Sequence, residues 1–473
     1  MWYFIASVLK KEGTTMGPNN TYTIKKEAMR TLDAISEEYT LLLRDIHDLK
    51  AASGPKGWRE EEAKELSEMV QRQLYKLQNP HDCKEARMLV VHLARACGFG
   101  CIVHKLAYNF ILAIGLNRTL VLVKSDMPYH KEGWDAAFLP ISRHCPYNSS
   151  RETDSIFNTT KKVLHIYENT RDIRLLPFMP RAIPEYLAPR LLRLHGQPFV
   201  WWVGQLVKYL MRPQPFLQED FGVTEKWLGF KRPIVGIHIR RSDKIGYEAD
   251  FHKVEEYMSH VELYYKHLRK HGPVDKKRIY LATDGRDVHA EMAKKFPEYE
   301  VISDKINTKL ANEESRYTGP SLRSIIMDIH FLSMTDYLVC TFSSQVCRLA
   351  YELMQTQHPD ASSWFHSLDD IYYFGEQIDH LQEVLVDHLP QTDAEIELKK
   401  GDIIKVAGNH WNGYSKGTNV RTEKKGLYPS FKVKEHKVVS EFVMNDTIRR
   451  LNLIRSHYIN NNNRFEFNDI RFM

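Results

Sequence analysis

The chain has 473 residues, enough for roughly three domains, and its 43% apolar and 27% charged residues are the proportions of a globular protein, not of a disordered or fibrous one. A net charge of +6 is mild for this length: it suits anionic small ligands and, with no dense Lys/Arg block, argues against a nucleic-acid partner. No apolar run reaches the roughly 18 residues of a membrane span, and the apolar start at 1–9 is too short for a span or a signal peptide.

Residues 1–22 carry no structural period and read as a disordered N-terminus. Over 23–50, Ile24, Ala28, Leu32, Ile35, Tyr39, Leu42, Ile46 and Leu49 recur at steps of three and four, which is coiled-coil spacing. Pro55 and Gly57 interrupt it, and a second helix follows with Ala63, Leu66, Val70 and Leu77 on one face, stopping near Pro80. The segment 23–80 is either a helical hairpin packed on its own domain or a coiled-coil stem that pairs two copies.

From about 84 the pattern turns α/β. Buried strands are expected at 88–93 and 119–123, flanking a helix near 102–114; the Pro-containing stretch 126–190 reads as irregular, and helices resume at 183–195 and 198–211. Strands then recur at 234–239, 278–283, 299–302 and 336–341, alternating with helices at 252–271, 287–296, 321–333 and 345–356. That alternation argues for a parallel, doubly wound sheet. Two α/β subdomains, 81–225 and a Rossmann-type 226–375, are followed by a linker at 376–394. Over 395–436 short strands with Gly-containing turns predict a small barrel in the order of an SH3 domain, and 437–473, with Asn460–Asn463 in a row, reads as a flexible tail.

The strongest chemical signal is Gly236-Ile237-His238-Ile239-Arg240-Arg241-Ser242-Asp243-Lys244, with Glu248 close behind. An apolar strand ends abruptly in cations and carboxylates, at the edge where open α/β sheets bind ligands. Adjacent arginines can fork onto phosphate oxygens, and without an anion they repel one another. Glu248 can serve as a base or pair with Lys244. Asp328, within an apolar helix, needs a partner: Arg323, or the paired N–H donors of a guanine. Thr341-Phe342-Ser343-Ser344-Gln345 joins a strand to a helix, where the serines either cap the helix or help its N-terminus hold phosphate. Leu281-Ala282-Thr283-Asp284 is a further strand end of this kind. No Asp-x-Asp pair is present to bridge a metal to a diphosphate, so neither a metal nor a cofactor is expected. The six cysteines, Cys83, Cys97, Cys101, Cys145, Cys340 and Cys347, are free buried thiols or three disulfides, and Asn-x-Ser/Thr sequons at Asn19, Asn117, Asn148, Asn158 and Asn445 lean towards a secretory compartment.

Together with Arg316-Tyr317, Asp328-Ile329-His330-Phe331 and Cys-Thr-Phe-Ser-Ser-Gln-Val-Cys, these features resemble the α1,6-fucosyltransferases of N-glycan core fucosylation, over about 23–436. The resemblance implies a GT-B-like enzyme with a helical stem and a C-terminal SH3 domain, held in the Golgi lumen by a single-pass anchor and paired as a homodimer through its stem. It implies inverting transfer of fucose from GDP-fucose to the 6-hydroxyl of the innermost GlcNAc of N-glycans that carry terminal GlcNAc, without a metal. Arg240 would bind the diphosphate, His238 and Asp328 the guanine, and Tyr129 the nucleotide; Ser344 would cap the phosphate. Arg241, Asp243, Tyr257, Asp284, Arg316, Ser343 and Gln345 would complete the donor site. Glu248 would be the base, with Lys244 tuning it and helping the leaving group, while His410, Arg95 and Glu168 would meet the acceptor glycan. The cysteines would pair as Cys83–Cys145, Cys97–Cys101 and Cys340–Cys347.

The chain departs from the family at several points. Val91 and Asn109 replace a cysteine pair, Arg95 replaces a lysine, Gly285 replaces an aspartate, no anchor is legible in what reads as a truncated or late start, and the Asn-rich end lacks a counterpart. The alternatives are a GDP-fucose enzyme that modifies protein hydroxyls, an inactive or altered-acceptor homologue, and an SH3-type binding scaffold.

Overall fold

The computed structural model describes residues 41–42, 44–46, 48–49, 52, 57–92, 97–123, 127–146, 162–166, 176–241, 251–311, 315–369, 372–375, 381–409, 414–429, 432–436 and 438–442. The heptad positions from Ile24 to Tyr39 lie outside them. None of the described helices is long and apolar enough to cross a membrane.

Helix α1 (Trp58–Gln78) opens with Glu60 and Glu61 and closes with Lys76, charges that complement its dipole. Its apolar face, Leu66, Val70 and Leu74, is fully buried in the main core. Glu62 pairs with Arg190 at 2.6 Å, and Gln71 donates to the Gln205 carbonyl at 2.8 Å. This half of the expected stem is therefore packed as a wall of the main core.

Strands β1 (Met88–Val91), β2 (Thr119–Leu122) and β3 (Val163–Ile166) form a parallel sheet in the order β2-β1-β3. Helix α2 (Phe99–Gly115) crosses from β1 to β2. The stretch expected to be irregular contains β3, and the start of the expected helix at 183 is instead β4 (Ala182–Pro184). Helices α3 (Ala188–Leu194), α4 (Pro198–Leu210) and α5 (Pro215–Leu228) each begin with proline in the first turn, where its missing N–H costs nothing. No helix was expected over α5. Only Leu217 and Phe221 are buried along it, so its apolar period is faint, although Pro215 and the left-handed Gly229 (φ 64°) mark both ends.

The second sheet holds β5 (Ile234–Ile239), β6 (Arg278–Thr283), β7 (Glu300–Ile302), β8 (Tyr337–Cys340) and β9 (Phe365–Ser367), all parallel, in the order β7-β6-β5-β8-β9. Helices α6 (Val254–His271) and α7 (Val288–Lys295) pack on one face. Helices α8 (Lys305–Leu310), α9 (Gly319–Ser333) and α10 (Gln345–Met354) complete the unit, with α9 and α10 on the other face. Ile234, Tyr280 and Leu338 join the core shared with the first subdomain, whereas Val235, Ile237 and Leu281 point to α6 and α7. Burial on both faces is why these strands read as continuous apolar runs.

The barrel begins earlier than its turns suggest. Strand β10 (Leu381–Val384) lies in the segment expected to be a linker and pairs antiparallel with β11 (Ile403–Asn409) and β14 (Val433–Glu435). With β12 (Tyr414–Asn419) and β13 (Lys425–Pro429) the order is β13-β12-β11-β10-β14. Four residues of mixed polarity gave β10 no period to read. Arg421 forks onto the buried Asp402 at 2.7 and 2.8 Å, holding its carboxyl well below the usual carboxylate range.

The expected tail also starts too early. Strand β15 (Val438–Ser440) pairs in parallel with β4, and Phe442 is buried against Trp202 and Phe178 at ring separations of 5.8 and 5.9 Å. The chain thus returns from the barrel to the first subdomain.

Candidate active site

In the order β7-β6-β5-β8-β9 the chain direction of winding reverses between β5 and β8, which makes their carboxyl ends the topological switch point. The end of β5 brings His238, Arg240 and Arg241 there, the end of β6 brings Asp284, and the turn after β8 brings Thr341–Ser344. These sequence-distant residues meet because parallel register sets His238 beside Ala282 and Ile239 beside Thr283.

Asp284 is the pivot. One carboxylate oxygen accepts the Arg241 backbone N–H at 2.6 Å, and the other lies 4.0 Å from Arg240 Nε. Successive residues point to opposite sides of an extended chain, so the two arginines part company. Arg240 stays at the switch point, while the Arg241 guanidinium reaches Glu291 at 2.9 Å and lies 4.8 Å over the Phe251 ring. Arg241 therefore shares its Nη1 with α7, while its Nε and Nη2 are buried without a hydrogen-bond partner among the described residues.

Burial pushes the His238 imidazole down to about 4, with the Asp284 charge opposing and Arg240 reinforcing the shift, so the ring is neutral near pH 7. Its Nδ1 is buried and has no hydrogen-bond partner among the described residues. Ser344 Oγ, buried at the first turn of α10, is likewise unpartnered among them. Ser344 occupies the N-cap position but makes no side-chain cap bond, so the capping role left open for it is excluded. Orphaned buried polar atoms are costly, and those of His238, Ser344 and Arg241 at one sheet edge fit a site that a polar ligand completes.

The surrounding residues are themselves held. Ser343 donates its backbone N–H to Asp369 at 3.3 Å, and Ser367 Oγ bonds Asp369 at 3.1 Å. Tyr257 on α6 is buried, and its phenol is raised chiefly by that burial, with Asp369 adding to it. The disulfide Cys340–Cys347, with Cα atoms 6.2 Å apart, ties the end of β8 to the first turn of α10 and brackets the Ser343–Ser344 turn. Cys83–Cys145 and Cys97–Cys101 are also paired, at Cα separations of 5.4 and 5.8 Å.

Asp328 on α9 accepts hydrogen bonds from Tyr280 and Asn307, both at 2.9 Å and both on Oδ1. Burial pushes its carboxyl up to about 7, against those two bonds. Arg323, the partner considered for it, instead pairs with Asp220 at 2.7 Å. His330 of the same helix stacks on Phe221 at 3.8 Å and is structural. Tyr129 accepts the Phe99 backbone N–H at 2.9 Å and lies 5.2 Å from the Tyr317 ring, with the charges of Arg316 and Arg240 close enough to act on its phenol. Tyr317 has φ 67°, a left-handed conformation that is strained for an aromatic residue, next to the site.

Gln345 Oε1 is bonded by His104 Nδ1 at 2.9 Å, and His104 Nε2 lies 3.0 Å from the fully buried Glu352. A Cβ on Gly100 would sit 2.8 Å from Gln345 Cβ, so α2 presses directly on the start of α10. Asp369, Tyr280, Asn307 and the His104–Glu352 pair were not marked by the sequence. Only Asp369, an acid just after a strand, carried a signal of the kind used for Asp284, and the three half-buried residues of β9 hid that strand. Asp243, Lys244, Glu248, Arg95, Glu168 and His410 lie outside the described residues.

Comparison with known proteins identifies this arrangement. A family model for the alpha-(1,6)-fucosyltransferase N- and catalytic domains matches residues 1–373, and one for a variant SH3 domain matches 384–434. The alpha-(1,6)-fucosyltransferase of Drosophila melanogaster is 46% identical over 439 residues, 92% of this chain and 71% of that one. The alpha-(1,6)-fucosyltransferase of Caenorhabditis elegans is 42% identical over 393 residues, 80% of this chain and 69% of that one. A solved structure, NodZ alpha-1,6-fucosyltransferase soaked with GDP-fucose, is 13% identical over 56% of this chain and 92% of its own, with a TM-score of 0.37. With the family match running from the first helix through the whole switch-point site, and the SH3 match following it, the chain belongs to the alpha-(1,6)-fucosyltransferase family and is a glycosyltransferase with a C-terminal SH3 domain.

Proposed function

We propose that this glycosyltransferase moves L-fucose from GDP-fucose to the 6-hydroxyl of the innermost GlcNAc of N-glycans, with inversion. The observation that carries the reading is the pair of buried, unpartnered polar atoms, His238 Nδ1 and Ser344 Oγ, at the sheet edge that also presents Arg240. The Arg240 fork suits a diphosphate, and the amino end of α10 adds backbone donors beside it. Asp328 stands ready for the paired N–H groups of guanine, its Oδ2 making no bond to the described residues.

As the anomeric carbon loses its bond to GDP, negative charge grows on the departing phosphate, where Arg240 and, by resemblance, Lys244 stabilise it. Glu248, by resemblance, takes the proton of the incoming hydroxyl in a single in-line displacement, and no covalent intermediate forms. On this reading the chemistry needs no metal. Arg95, Glu168 and His410 of the SH3 domain would meet the acceptor. Two parallel sheets with the donor held at one of them support a GT-B-like architecture. Disulfides and sequons support the Golgi lumen. Leu42, Ile46 and Leu49, exposed at 55%, 53% and 72%, support a homodimer through the helical stem.

Transfer from GDP-fucose to a GlcNAc-terminated biantennary N-glycan tests this, with and without EDTA, for the wild type and Glu248→Gln. Fucose on the innermost GlcNAc, lost in the variant, is the expected result. GDP binding without transfer would put a different acceptor in place of the N-glycan, and absence of GDP binding would overturn the donor site.

A further inference from the structure

The end of α6 lies at the opposite edge of the second sheet from Arg240 and Ser344: Tyr265 donates to the carbonyl of Arg278, the first residue of β6, at 2.6 Å. His267 and His271 stand four apart there and so project from one helix face. The helical residues 44–46 and 48–49 lie against that face, and the Arg44 guanidinium stacks 4.1 Å over Tyr337 and 4.9 Å over Tyr264.

His267 is only 4% exposed. Its Nε2 is 2.9 Å from Asp48 Oδ2. A neutral imidazole has one N–H, and donating it to Asp48 leaves Nδ1 as a bare lone pair. That lone pair lies 3.4 Å from Asp45 Oδ1 and makes no hydrogen bond. His271 Nε2 lies 3.9 Å from the same Asp45 oxygen, and one ligand atom from each of the three residues falls within 4.8 Å of the others. Three potential ligand atoms therefore converge, and His267 Nδ1 faces Asp45 Oδ1 without a hydrogen bond.

We propose that Asp45, His267 and His271 form a binding site for a divalent transition-metal ion of the zinc class, which clasps the N-terminal helical segment to the nucleotide-binding sheet. Bonds of about 2.0–2.1 Å to a tetrahedral ion hold its ligands about 3.3 Å apart. The 3.4 Å pair already meets that spacing; the 3.9 Å pair and the two histidines, all within 4.8 Å, reach it by movement of the His271 side chain, which is 56% exposed. Asp48 completes the arrangement by fixing the tautomer of the metal-bound ring through its far nitrogen. Two imidazoles with one carboxylate favour zinc over calcium or magnesium, which take all-oxygen sets. The fourth position is left to water. The ion does no chemistry on the donor, since the two sites occupy opposite ends of the strands. Neither Asp-x-Asp nor cysteine spacing marks this set, because Asp45 lies far along the chain from the two histidines.

The test is calorimetric titration of the chelator-stripped full chain with ZnCl2, followed by thermal unfolding with and without zinc and by the visible spectrum with CoCl2. One equivalent should bind, zinc should raise the melting temperature, and cobalt should show the intense visible bands of a tetrahedral site. His271→Ala and Asp45→Asn should each weaken zinc binding by about 100-fold and abolish the thermal shift, and Asp48→Asn should weaken it by about tenfold. The fucosyl-transfer kcat should not change in any of them. Zinc binding that persists equally in His271→Ala and Asp45→Asn would overturn the proposal. So would a wild type that binds no zinc.

Discussion

His104 on α2 reaches across from the first subdomain to hold Gln345, the first residue of α10, with Nδ1 2.9 Å from its Oε1. The ring's other nitrogen is anchored 3.0 Å from Glu352, whose Oε1 also accepts the Tyr372 hydroxyl at 2.7 Å. One helix of the first sheet thus sets the orientation of a residue beside Ser344, at the edge of the second.

Replacing His104 by alanine frees Gln345 and strands a buried carboxylate. The KM for GDP-fucose should rise about tenfold, corresponding to one lost hydrogen bond of about 1.4 kcal/mol. Unfolding free energy should fall by about 1–3 kcal/mol, because the fully buried Glu352 loses one hydrogen-bond partner and keeps only the Tyr372 hydroxyl. Steady-state kinetics and denaturant unfolding read the two effects separately; an unchanged KM would mean that Gln345 needs no help from α2.

Ser344→Ala separates function from stability in the opposite way. Its Oγ makes no cap bond and has no partner among the described residues, so thermal unfolding should not change. GDP affinity should drop roughly fivefold to tenfold with loss of one hydrogen bond to an anion. A large fall in melting temperature would restore the helix-capping role.

Asp328 predicts a pH dependence. Its folded-state carboxyl lies at about 7, whereas the unfolded chain titrates near the ordinary value of about 4. Between those values the native state holds the extra proton, so this group's contribution to stability is greatest in acid and is lost as pH rises towards 7. Donor binding runs the other way, because guanine N–H groups need the ionised acid. GDP affinity should therefore climb as pH rises through about 7, and Asp328→Asn should weaken binding and flatten the profile. His238 does not confuse the result, since burial keeps its titration down at about 4. Calorimetric titration with GDP across this range decides it.

Phe442 fastens the strand that returns from the SH3 domain. It is 5% exposed against Trp202 and Phe178, so Phe442→Ala should cost about 3–4 kcal/mol. A loss below about 1 kcal/mol would show that β15 adds nothing to the catalytic core.

Much of the fold was legible because its period is local. Strands β5, β6 and β8 are buried on both faces and therefore continuous in the sequence, and Arg240, Asp284 and Ser344 announce themselves as polar residues at their ends. Strand β10 and helix α5 were not legible, because four mixed residues and two buried side chains make no period. The two arginines show the same divide within one dipeptide. Sequence marks both as ligands for an anion, and only the fold shows that strand alternation parts them and that Arg241 also pairs with Glu291 on α7.

The sequence by itself determined the alternation of strand and helix, the family and the residues at each strand end, because patterning and motifs are properties of near neighbours. Only the tertiary structure decided that α1 is a wall of the core, that β15 returns to β4, that His104 orients Gln345, and that Asp45 and Asp48 meet His267 and His271. Each of those depends on where distant segments pack, and a polar side chain's role is set by the partner that packing brings to it.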